Sequence, residues 1–364
     1  MTEYRCWTEV SLGAIERNYQ RLSQTAPGSE LLCVVKADAY RHGAAAVAAR
    51  LEQKGARWFG VANAAEGAAL RAAGISGEIL ILGELCEFEY ESLFEHRLTP
   101  VVHDLAKVPE LDRRAGARGV VWPVHVKVDS GMGRLGCKST PREIAGAFGQ
   151  ATHLRLEGLM SHLATTAEEI TPQTRDQLAC FGRMAAELAA LGAAPRWRHL
   201  SATVPIVHRH SETFATMVRP GLGLYGYPTP ALEPALSWKA RVLLVKQIAP
   251  GEPVGYGALW RAERPSRIAV LPCGYADGIP HRLIRQAHVL VNGCPAPLRG
   301  AVSMDLISVD VTGCPAVAPG DIAILIGASG GLALTAQDWA EWAGTIPYVI
   351  LCGIGPRVGR IYVP

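Results

Sequence analysis

Short, uninterrupted apolar runs recur through the first 230 residues or so and alternate with alanine-rich segments of helical spacing. Runs that are apolar at every position are typical of parallel strands buried on both faces. Eight such runs can be counted, and eight strand–helix units predict a TIM-type barrel. The runs are LLCVVK, WFGVAN, EILILG, LTPVVH, WPVHVKVD, LEGLMSHL, RWRHLSAT and TMVRPGLGLYG.

The segment SLGAIERNYQRL precedes these runs and predicts an additional helix with Ser11 as its N-cap. After about residue 235 the pattern changes to short strands punctuated by proline and glycine, which predicts an all-β domain. One short helix is expected within it, at ALTAQDWAEWAG. We therefore predict an α/β fold with an N-terminal TIM-like (β/α)8 barrel, residues 1–232, followed by a C-terminal all-β domain, residues 233–364.

Composition and charge exclude several classes of function. The formal net charge is only +3 and the basic residues are spread along the chain, which argues against a nucleic-acid partner. Nine cysteines without a CxxC pair argue against a disulfide framework or a metal site, and favour a reducing, cytoplasmic compartment. No apolar stretch reaches about 18 residues, and the N-terminus lacks the features of a signal peptide, so neither a membrane segment nor a leader is expected.

The catalytic groups of a TIM barrel lie at the carboxyl ends of its strands. Each such side chain, taken alone, is more often structural, as a lysine reaching solvent or a core histidine. Their accumulation at one end of one barrel indicates a site for an anion. The side chains that follow these strands are Lys36, Tyr40, Lys127, Asp129, Arg134, His162, His199, Ser201, Thr203 and Arg219.

The turn at Gly221 and Leu222 follows the eighth strand and offers free backbone N–H groups, as phosphate sites in such barrels do. A lysine, a phosphate site and a neighbouring cation suggest pyridoxal phosphate bound to Lys36 as a Schiff base. A phosphosugar aldolase uses a lysine and a phosphate site in much the same way, and residue types alone leave that alternative open.

The stretch VVKADAYRHG, residues 34–43, resembles the lysine motif of the alanine racemase family, whose members use pyridoxal 5'-phosphate. Further landmarks follow in order along essentially the whole chain. They are KVDSGMGRLG, MSHLATTAEE, MVRPGLGLYG, VGYGALW, GYADG, AVSMDLISVD and IPYVILCGIGPRVGR. The resemblance implies a homodimer that interconverts L- and D-alanine by a two-base mechanism, each C-terminal domain completing the partner's site. It also implies a role in supplying D-alanine for the cell wall.

The resemblance further implies a role for each matching residue. Lys36 would bear the cofactor and act as one base, and Tyr256 would be the other base. Arg134 and Met304 would bind the substrate, Arg219 would face the pyridine nitrogen, and His162 would link Arg219 to Tyr256. The phosphate would be held by Tyr40, Thr203 or its rival Ser201, Gly221, Leu222 and Tyr348. The supporting residues would be Lys127, which is carbamylated in many members, Tyr275 and Asp305.

Some positions depart from the commoner family pattern, among them Asp38 and Arg41, where asparagine and glycine are usual. The alternatives to an alanine racemase are a serine or broad serine/alanine racemase and a non-catalytic carrier of pyridoxal phosphate, although such carriers lack the β domain. A related decarboxylase would place an acidic residue at the pyridine nitrogen, so Arg219 disfavours it. No metal ion is expected.

Overall fold

A computed structural model of the chain describes residues 4–165, 168–283 and 286–364. The chain divides into two compact units. The barrel unit comprises Ile15–Ala39 and Ala44–Leu232, and the sheet unit comprises the chain up to Ala14, Tyr40–Gly43 and Glu233–Pro364.

The strands, in chain order, are β1 (Cys6–Ser11), β2 (Glu30–Val34), β3 (Trp58–Val61), β4 (Glu78–Ile81), β5 (Thr99–Val102), β6 (Trp122–Lys127), β7 (Leu154–Met160), β8 (Trp197–His199), β9 (Met217–Val218), β10 (Leu236–Arg241), β11 (Leu244–Ile248), β12 (Pro253–Val254), β13 (Trp260–Arg261), β14 (Ser266–Leu271), β15 (His288–Val291), β16 (Cys294–Pro297), β17 (Ile307–Asp310), β18 (Ile322–Ser329), β19 (Leu332–Leu334) and β20 (Gly359–Val363). The helices are α1 (Leu12–Thr25), α2 (Lys36–Arg41), α3 (Ala44–Gln53), α4 (Ala64–Ala72), α5 (Tyr90–Glu95), α6 (Val108–Gly116), α7 (Pro141–Gln150), α8 (Pro172–Ala190), α9 (Thr203–Val207), α10 (Ala336–Ala343) and α11 (Pro347–Gly353). Short 3₁₀ turns lie at Glu87–Glu89, Leu105–Lys107, Ser211–Thr213, Leu222–Tyr225, Tyr256–Ala258, Tyr275–Asp277 and His281–Leu283.

The barrel unit is built on a closed parallel barrel of β2 to β9, so the predicted (β/α)8 architecture is confirmed. Neighbouring strands pair in chain order, and β9 closes on β2 through the pairs Glu30–Met217 and Leu31–Val218. Residues of successive strands, such as Leu32, Phe59 and Ile79, are fully buried. The strands are apolar at successive positions because helices cover the outer face and neighbouring side chains fill the inner one.

The predicted N-terminal helix is also confirmed, as α1. The Ser11 hydroxyl accepts a hydrogen bond from the Ala14 N–H at 3.1 Å, which satisfies one of the backbone donors left over at a helix start. The apolar side chains of Ile15 and Leu22 are buried.

The sheet unit contains a seven-stranded sheet in the order β16-β15-β18-β10-β1-β20, with β19 paired to β18. A three-stranded sheet, β11-β14-β17, and the hairpin β12-β13 complete its strands. Residues 4–14 are predicted from the sequence to be part of the barrel, but they belong to this unit. The reason is that β1 pairs antiparallel with β10 and parallel with β20.

Two tryptophans form the centre of this unit. Trp238 and Trp339 are both 0% exposed, with ring centroids 5.9 Å apart. The indole N–H of Trp339 donates to the Leu325 carbonyl at 2.6 Å, and that of Trp238 donates to Cys6 Sγ at 3.1 Å. Truncation of either ring would remove about 3–5 kcal/mol of stability.

The predicted helix near the C-terminus is present as α10, capped by Thr335, whose hydroxyl accepts from the Asp338 N–H at 3.2 Å. The helix α11 is not anticipated by the sequence analysis, because its apolar and β-branched residues are typical of a strand. Pro347 at its first turn lacks an N–H and has a φ suited to helix initiation. In the described part of the chain, every helix is too short or too polar to cross a membrane.

Candidate active site

Lys36 follows β2 at the carboxyl end of the barrel, and its side chain is exposed. The chain then turns in an unusual way, because α2 is left-handed. The φ angles of Ala37, Asp38, Ala39 and Tyr40 lie between 53° and 54°, and that of Arg41 is 65°. A left-handed helical residue other than glycine costs roughly 1–2 kcal/mol, so this turn persists only because surrounding contacts hold it.

Two carboxylates supply such contacts. Glu66 Oε1 accepts from the Ala37 N–H at 2.8 Å, and its second oxygen accepts from the Ala62 N–H at 2.8 Å. Asp38 Oδ1 accepts from the Ala44 N–H at 2.8 Å, at the start of α3. The aspartate that departs from the family pattern therefore acts as a helix cap, and its charge is satisfied locally.

Arg219 is buried at the end of β9 and is surrounded by neutral acceptors. Its guanidinium donates to His199 Nδ1 at 3.0 Å and to His162 Nδ1 at 3.1 Å. It also donates to the carbonyl oxygens of Ser161 at 2.7 Å and Leu200 at 3.0 Å. Burial lowers the pKa of Arg219 to about 9, which still leaves it a cation at neutral pH.

Arg219, His199 and His125 form a buried hydrogen-bonded chain, called the histidine relay below. The contacts of Arg219 determine which ring nitrogen of each histidine carries the proton. Arginine can only donate, so His199 Nδ1 accepts and its proton lies on Nε2. That proton is donated to His125 Nδ1, 2.8 Å away. His125 Nε2 then bears a hydrogen and has no hydrogen-bonding partner among the described residues.

Burial and the positive charge of Arg219 keep the histidines neutral. These two causes lower the pKa of His125 to about 3 and that of His199 well below its ordinary value. The pKa of His162 is lowered to about 3, by burial first and then by Arg219, Lys127 and neighbouring cations. A neutral His162 can accept from Arg219 and still donate from its other ring nitrogen.

Lys127 ends β6 and is 4% exposed. Burial, followed by the charges of Arg219 and Arg134, lowers the pKa of Lys127 to about 8. The nearby carboxylate of Asp129 opposes this shift, but it is engaged in shaping the glycine-rich loop. Its Oδ1 accepts from the backbone N–H groups of Gly131, Met132 and Gly133 at 3.1, 2.9 and 3.0 Å.

The predicted phosphate site contains Thr203 at the start of α9. Its hydroxyl accepts from the N–H groups of Gly221 and Gly223, at 3.0 and 3.1 Å, at the 3₁₀ turn that begins with Leu222. The hydroxyl of its rival Ser201 instead donates to the Thr213 carbonyl at 2.7 Å and is fully buried. Thr203 is therefore the better placed of the two to present a hydroxyl at the glycine turn.

Arg134 lies in the barrel unit, in the glycine-rich loop after β6, and is exposed. The other predicted residues lie in the sheet unit. Tyr40 and Tyr348 are within ring contact, at 5.7 Å between centroids, and burial raises the pKa of each phenol. Tyr256 is 76% exposed, between Gly255 and Gly257, whose φ angles of 74° and 69° favour glycine.

Met304 is also exposed, on a loop joined to the GYADG motif. The Tyr275 N–H donates to the Ser303 carbonyl at 3.0 Å. Arg357 donates to Asp305 at 2.8 Å and, through two nitrogens, to both oxygens of Asp277 at 3.1 and 2.9 Å. This arginine fork holds the loop that presents Met304.

The geometry at the barrel's carboxyl end is accompanied by family matches in both parts of the chain. Residues 10–229 match the model of the alanine racemase N-terminal domain, and residues 235–362 match that of the C-terminal domain. This chain belongs to the alanine racemase family.

Individual alanine racemases match over nearly their whole length. The alanine racemase of Symbiobacterium thermophilum is 40% identical over 98% of this chain and 96% of its own. That of Halothermothrix orenii is 39% identical over the same shares. The structure of alanine racemase from Streptomyces lavendulae has a TM-score of 0.95 at 34% identity, covering 100% of this chain and 98% of its own. An alanine racemase from Bartonella henselae with covalently bound pyridoxal phosphate has a TM-score of 0.88 at 30% identity, covering 99% and 100%.

The family resemblance identified from the sequence is thereby confirmed. The residues that sequence reasoning missed are those that position others, chiefly Glu66, His125 and the pair Asp277 and Arg357. The sequence places His199 at a strand end but predicts no role for it. His125, Asp277, Arg357 and His199 each lie in a quoted motif or run, whereas the sequence offers no signal for Glu66.

Proposed function

We propose that this alanine racemase family member interconverts L- and D-alanine with pyridoxal phosphate as its cofactor. The observation that supports this most directly is Arg219, a buried cation whose described side-chain partners are neutral histidines. An enzyme that protonates the pyridine nitrogen needs an acid there, whereas Arg219 can only donate a hydrogen bond to an unprotonated ring nitrogen.

The residues present fit this cofactor. Lys36 offers an exposed amine at the end of β2, and Thr203 offers a hydroxyl proton for a phosphate, beside the backbone N–H of Leu222. The N–H of Gly221, expected from the sequence to be free, donates to the Thr203 hydroxyl instead. Tyr40 and Tyr348 would add phenolic donors, because burial keeps both protonated. When bound, pyridoxal phosphate supplies an electron sink that stabilises the negative charge left at Cα once its proton is removed.

The chain's own residues would then move that proton. The Lys36 amine would take or return it on one face of Cα and the Tyr256 phenol on the other. Arg134 would bind the substrate carboxylate, and Met304 would limit the size of the side chain. Lys127 would brace Arg134 once it is carbamylated, because this modification turns a repelling cation into an attracting anion.

We propose further that the working unit is a homodimer in which Tyr256 and Met304 serve the partner's site. Their high exposure, 76% and 53%, is what residues that reach out to a second subunit would show. Tyr275 and Asp305 would support them, through the loop contacts of Ser303 and Arg357. A cytoplasmic location remains part of the proposal and is supported by nine free cysteines.

Incubation with L-alanine in deuterated water tests the reaction, because a racemase loses optical rotation and labels Cα with deuterium. Lys36→Ala should abolish both signals and the yellow colour of the bound cofactor. Tyr256→Phe should keep the colour but abolish racemisation, whereas the exposed Tyr4→Phe is a matched control that should keep full activity. Release of carbon dioxide, or no labelling of alanine at all, would refute the proposal, and parallel assays with L-serine measure the substrate preference.

Mixing the two inactive variants tests the shared site. If Tyr256 acts on the partner's Cα, a hybrid dimer of Lys36→Ala and Tyr256→Phe has one intact site. Random mixing of subunits then restores about one quarter of the wild-type activity. If both bases belong to the same chain, mixing restores none.

A further inference from the structure

The sheet unit contains the tripeptide Gly-Cys-Pro twice. Gly293-Cys294-Pro295 begins β16, and Gly313-Cys314-Pro315 follows β17, 20 residues further on. The structure places the sulfur atoms of Cys294 and Cys314 only 2.6 Å apart. Two thiols so close are in position to react with each other, since a disulfide bond measures about 2.05 Å.

The backbone holds both cysteines in place. Asn292 and Gly293, with φ angles of 50° and 75°, form the two-residue turn between β15 and β16, and Cys294 pairs with Val291 across it. On the other side, the Cys314 N–H donates to the Val311 carbonyl at 3.1 Å. Hydrogen-bonded turns therefore hold the backbones of both cysteines where their sulfur atoms can meet.

The two thiols differ in their access to solvent. Cys294 is partly exposed, whereas Cys314 is 6% exposed. Burial and the adjacent Cys294 raise the pKa of Cys314 to about 12, so Cys314 stays a thiol in the reduced protein. A dissolved reagent therefore reacts with Cys294 first, and Cys314 then reacts with the modified Cys294.

We propose that Cys294 and Cys314 are a reversible oxidation site, which a small disulfide such as oxidised glutathione converts to an intrachain disulfide. The Cys294 thiolate attacks one sulfur of the small disulfide, forms a mixed disulfide and releases one small thiol. Cys314 then attacks Cys294 Sγ and releases the second small thiol. Two cysteines are oxidised, one small disulfide is reduced, and the two cysteine protons end on the two small thiols released.

The bond would join two sheets of this unit. Cys294 lies in the seven-stranded sheet, and Cys314 follows β17 of the three-stranded sheet, close to the isolated bridge between Leu298 and Val309. The loop that the bond closes includes Met304. Oxidation would therefore restrain this loop in the unfolded chain and raise the stability of the folded one.

Cys6 and Cys273 provide a contrast within the same unit. They also contact each other, but they are only 8% and 0% exposed. A dissolved reagent does not reach them in the folded protein, so proximity without access should leave them reduced.

The test treats the full-length, reduced protein with oxidised glutathione, alkylates the remaining thiols and maps the peptides by mass spectrometry without reduction. We expect a peptide pair joined through Cys294 and Cys314. Oxidation should raise the Tm by roughly 4–10 °C, and dithiothreitol should reverse the rise. Cys314→Ser should retain glutathione on Cys294, because the second thiol is missing.

A matched control is Cys180→Ser, which removes a partly exposed cysteine of α8 and should leave both the linked peptide and the Tm rise unchanged. The proposal fails if wild-type Cys294 keeps glutathione while Cys314 is alkylated. It also fails if Cys294→Ser shows the same Tm rise as the wild type. The wild-type peptide map decides the matter even if a serine variant does not fold.

Discussion

Gly158 in β7 faces the ring of His125, and replacing this glycine by alanine tests the rigidity of the histidine relay. An added Cβ would lie 2.5 Å from His125 Cγ, closer than real Cβ atoms approach other atoms. The ring has little room to retreat, because His125 is 0% exposed and packs against Trp58 at 5.6 Å and His199 at 5.0 Å between ring centroids.

Two costs follow from this clash. Overpacking a well-filled core costs about 1–3 kcal/mol. Displacing His125 also breaks its hydrogen bond with His199 and leaves a buried N–H without an acceptor, at about 1–3 kcal/mol. Gly158→Ala should therefore lower the free energy of unfolding by roughly 2–6 kcal/mol.

Urea unfolding followed by tryptophan fluorescence measures this change. The matched control is Gly182→Ala in α8, where an added Cβ meets nothing within 4 Å. Alanine is the better helix former by about 1 kcal/mol, so this variant should be slightly more stable than the wild type. If Gly158→Ala unfolds at the same urea concentration as Gly182→Ala, His125 is free to move and the relay is not rigid.

Three further predictions concern stability. Ala37→Gly should raise the free energy of unfolding by about 0.5–1 kcal/mol, because relief of left-handed strain exceeds the added entropy of the unfolded glycine; chemical denaturation measures it. His125 has a pKa of about 3 when folded and near 6.5 when unfolded, so the unfolded state binds more protons between these pH values. Acidification from pH 6.5 towards 3 should therefore lower the free energy of unfolding, by up to about 1.4 kcal/mol per pH unit for this group. His125→Gln should reduce that pH dependence. While it is unmodified, Lys127 has a pKa of about 8 when folded and 10.5 as its ordinary value, so stability should rise with pH between these values, and Lys127→Met should reduce the rise.

Each of these predictions can be contradicted by a single comparison. Ala37→Val should be less stable than the wild type, and equal stability of the valine and glycine variants would show that the turn stores no strain. An unfolding free energy that is constant between pH 7 and pH 5 would show that His125 is not held neutral. If the unmodified protein and its Lys127→Met variant have the same alkaline stability profile, the amine of Lys127 is not held at a lowered pKa.

The Arg357 fork offers a prediction about the loop that presents Met304. Asp277→Asn replaces the carboxylate that accepts two of its hydrogen bonds, and a hydrogen bond to a charged group contributes about 1.5–3 kcal/mol. We expect a loss of this order in unfolding free energy and faster proteolysis near Met304. A variant with unchanged protease resistance would show that Asp305 alone holds the loop.

The barrel strands could be predicted because each strand is buried on both faces and is therefore apolar along its length. Such a run can be recognised from the local sequence alone. The ends of the strands could be predicted as a site because Lys36, Arg134 and Arg219 stand where apolar runs stop. What could not be predicted depends on tertiary contacts. The left-handed turn of α2 has ordinary helix-forming residues and needs Glu66, 29 positions after Ala37, to hold its first N–H.

The histidine relay could not be predicted either, because it also depends on contacts between residues distant in the sequence. A histidine in an apolar strand gives the same signal whether its ring is a satisfied core group or one member of a chain. Only the closure of the barrel shows that His125 and His199, 74 positions apart, share a hydrogen bond. Similarly, the sequence of β1 does not show that its partners are β10 and β20, which lie more than 200 positions further along the chain.

The placement of β1 between β10 and β20 has a consequence for how the chain is made. Its pairs include Cys6 with Ala240 and Ser11 with Val363, so β1 is synthesised long before β10 and can pair with β20 only after the residues up to Val363 have been made. The barrel, by contrast, has all its strands by Val218 and can form during translation. Both edges of β1 therefore stay unpaired until β10 has been made, and one edge stays unpaired until β20 follows. Slow translation of the segment between β10 and β20 would prolong the exposure of that edge to other nascent chains.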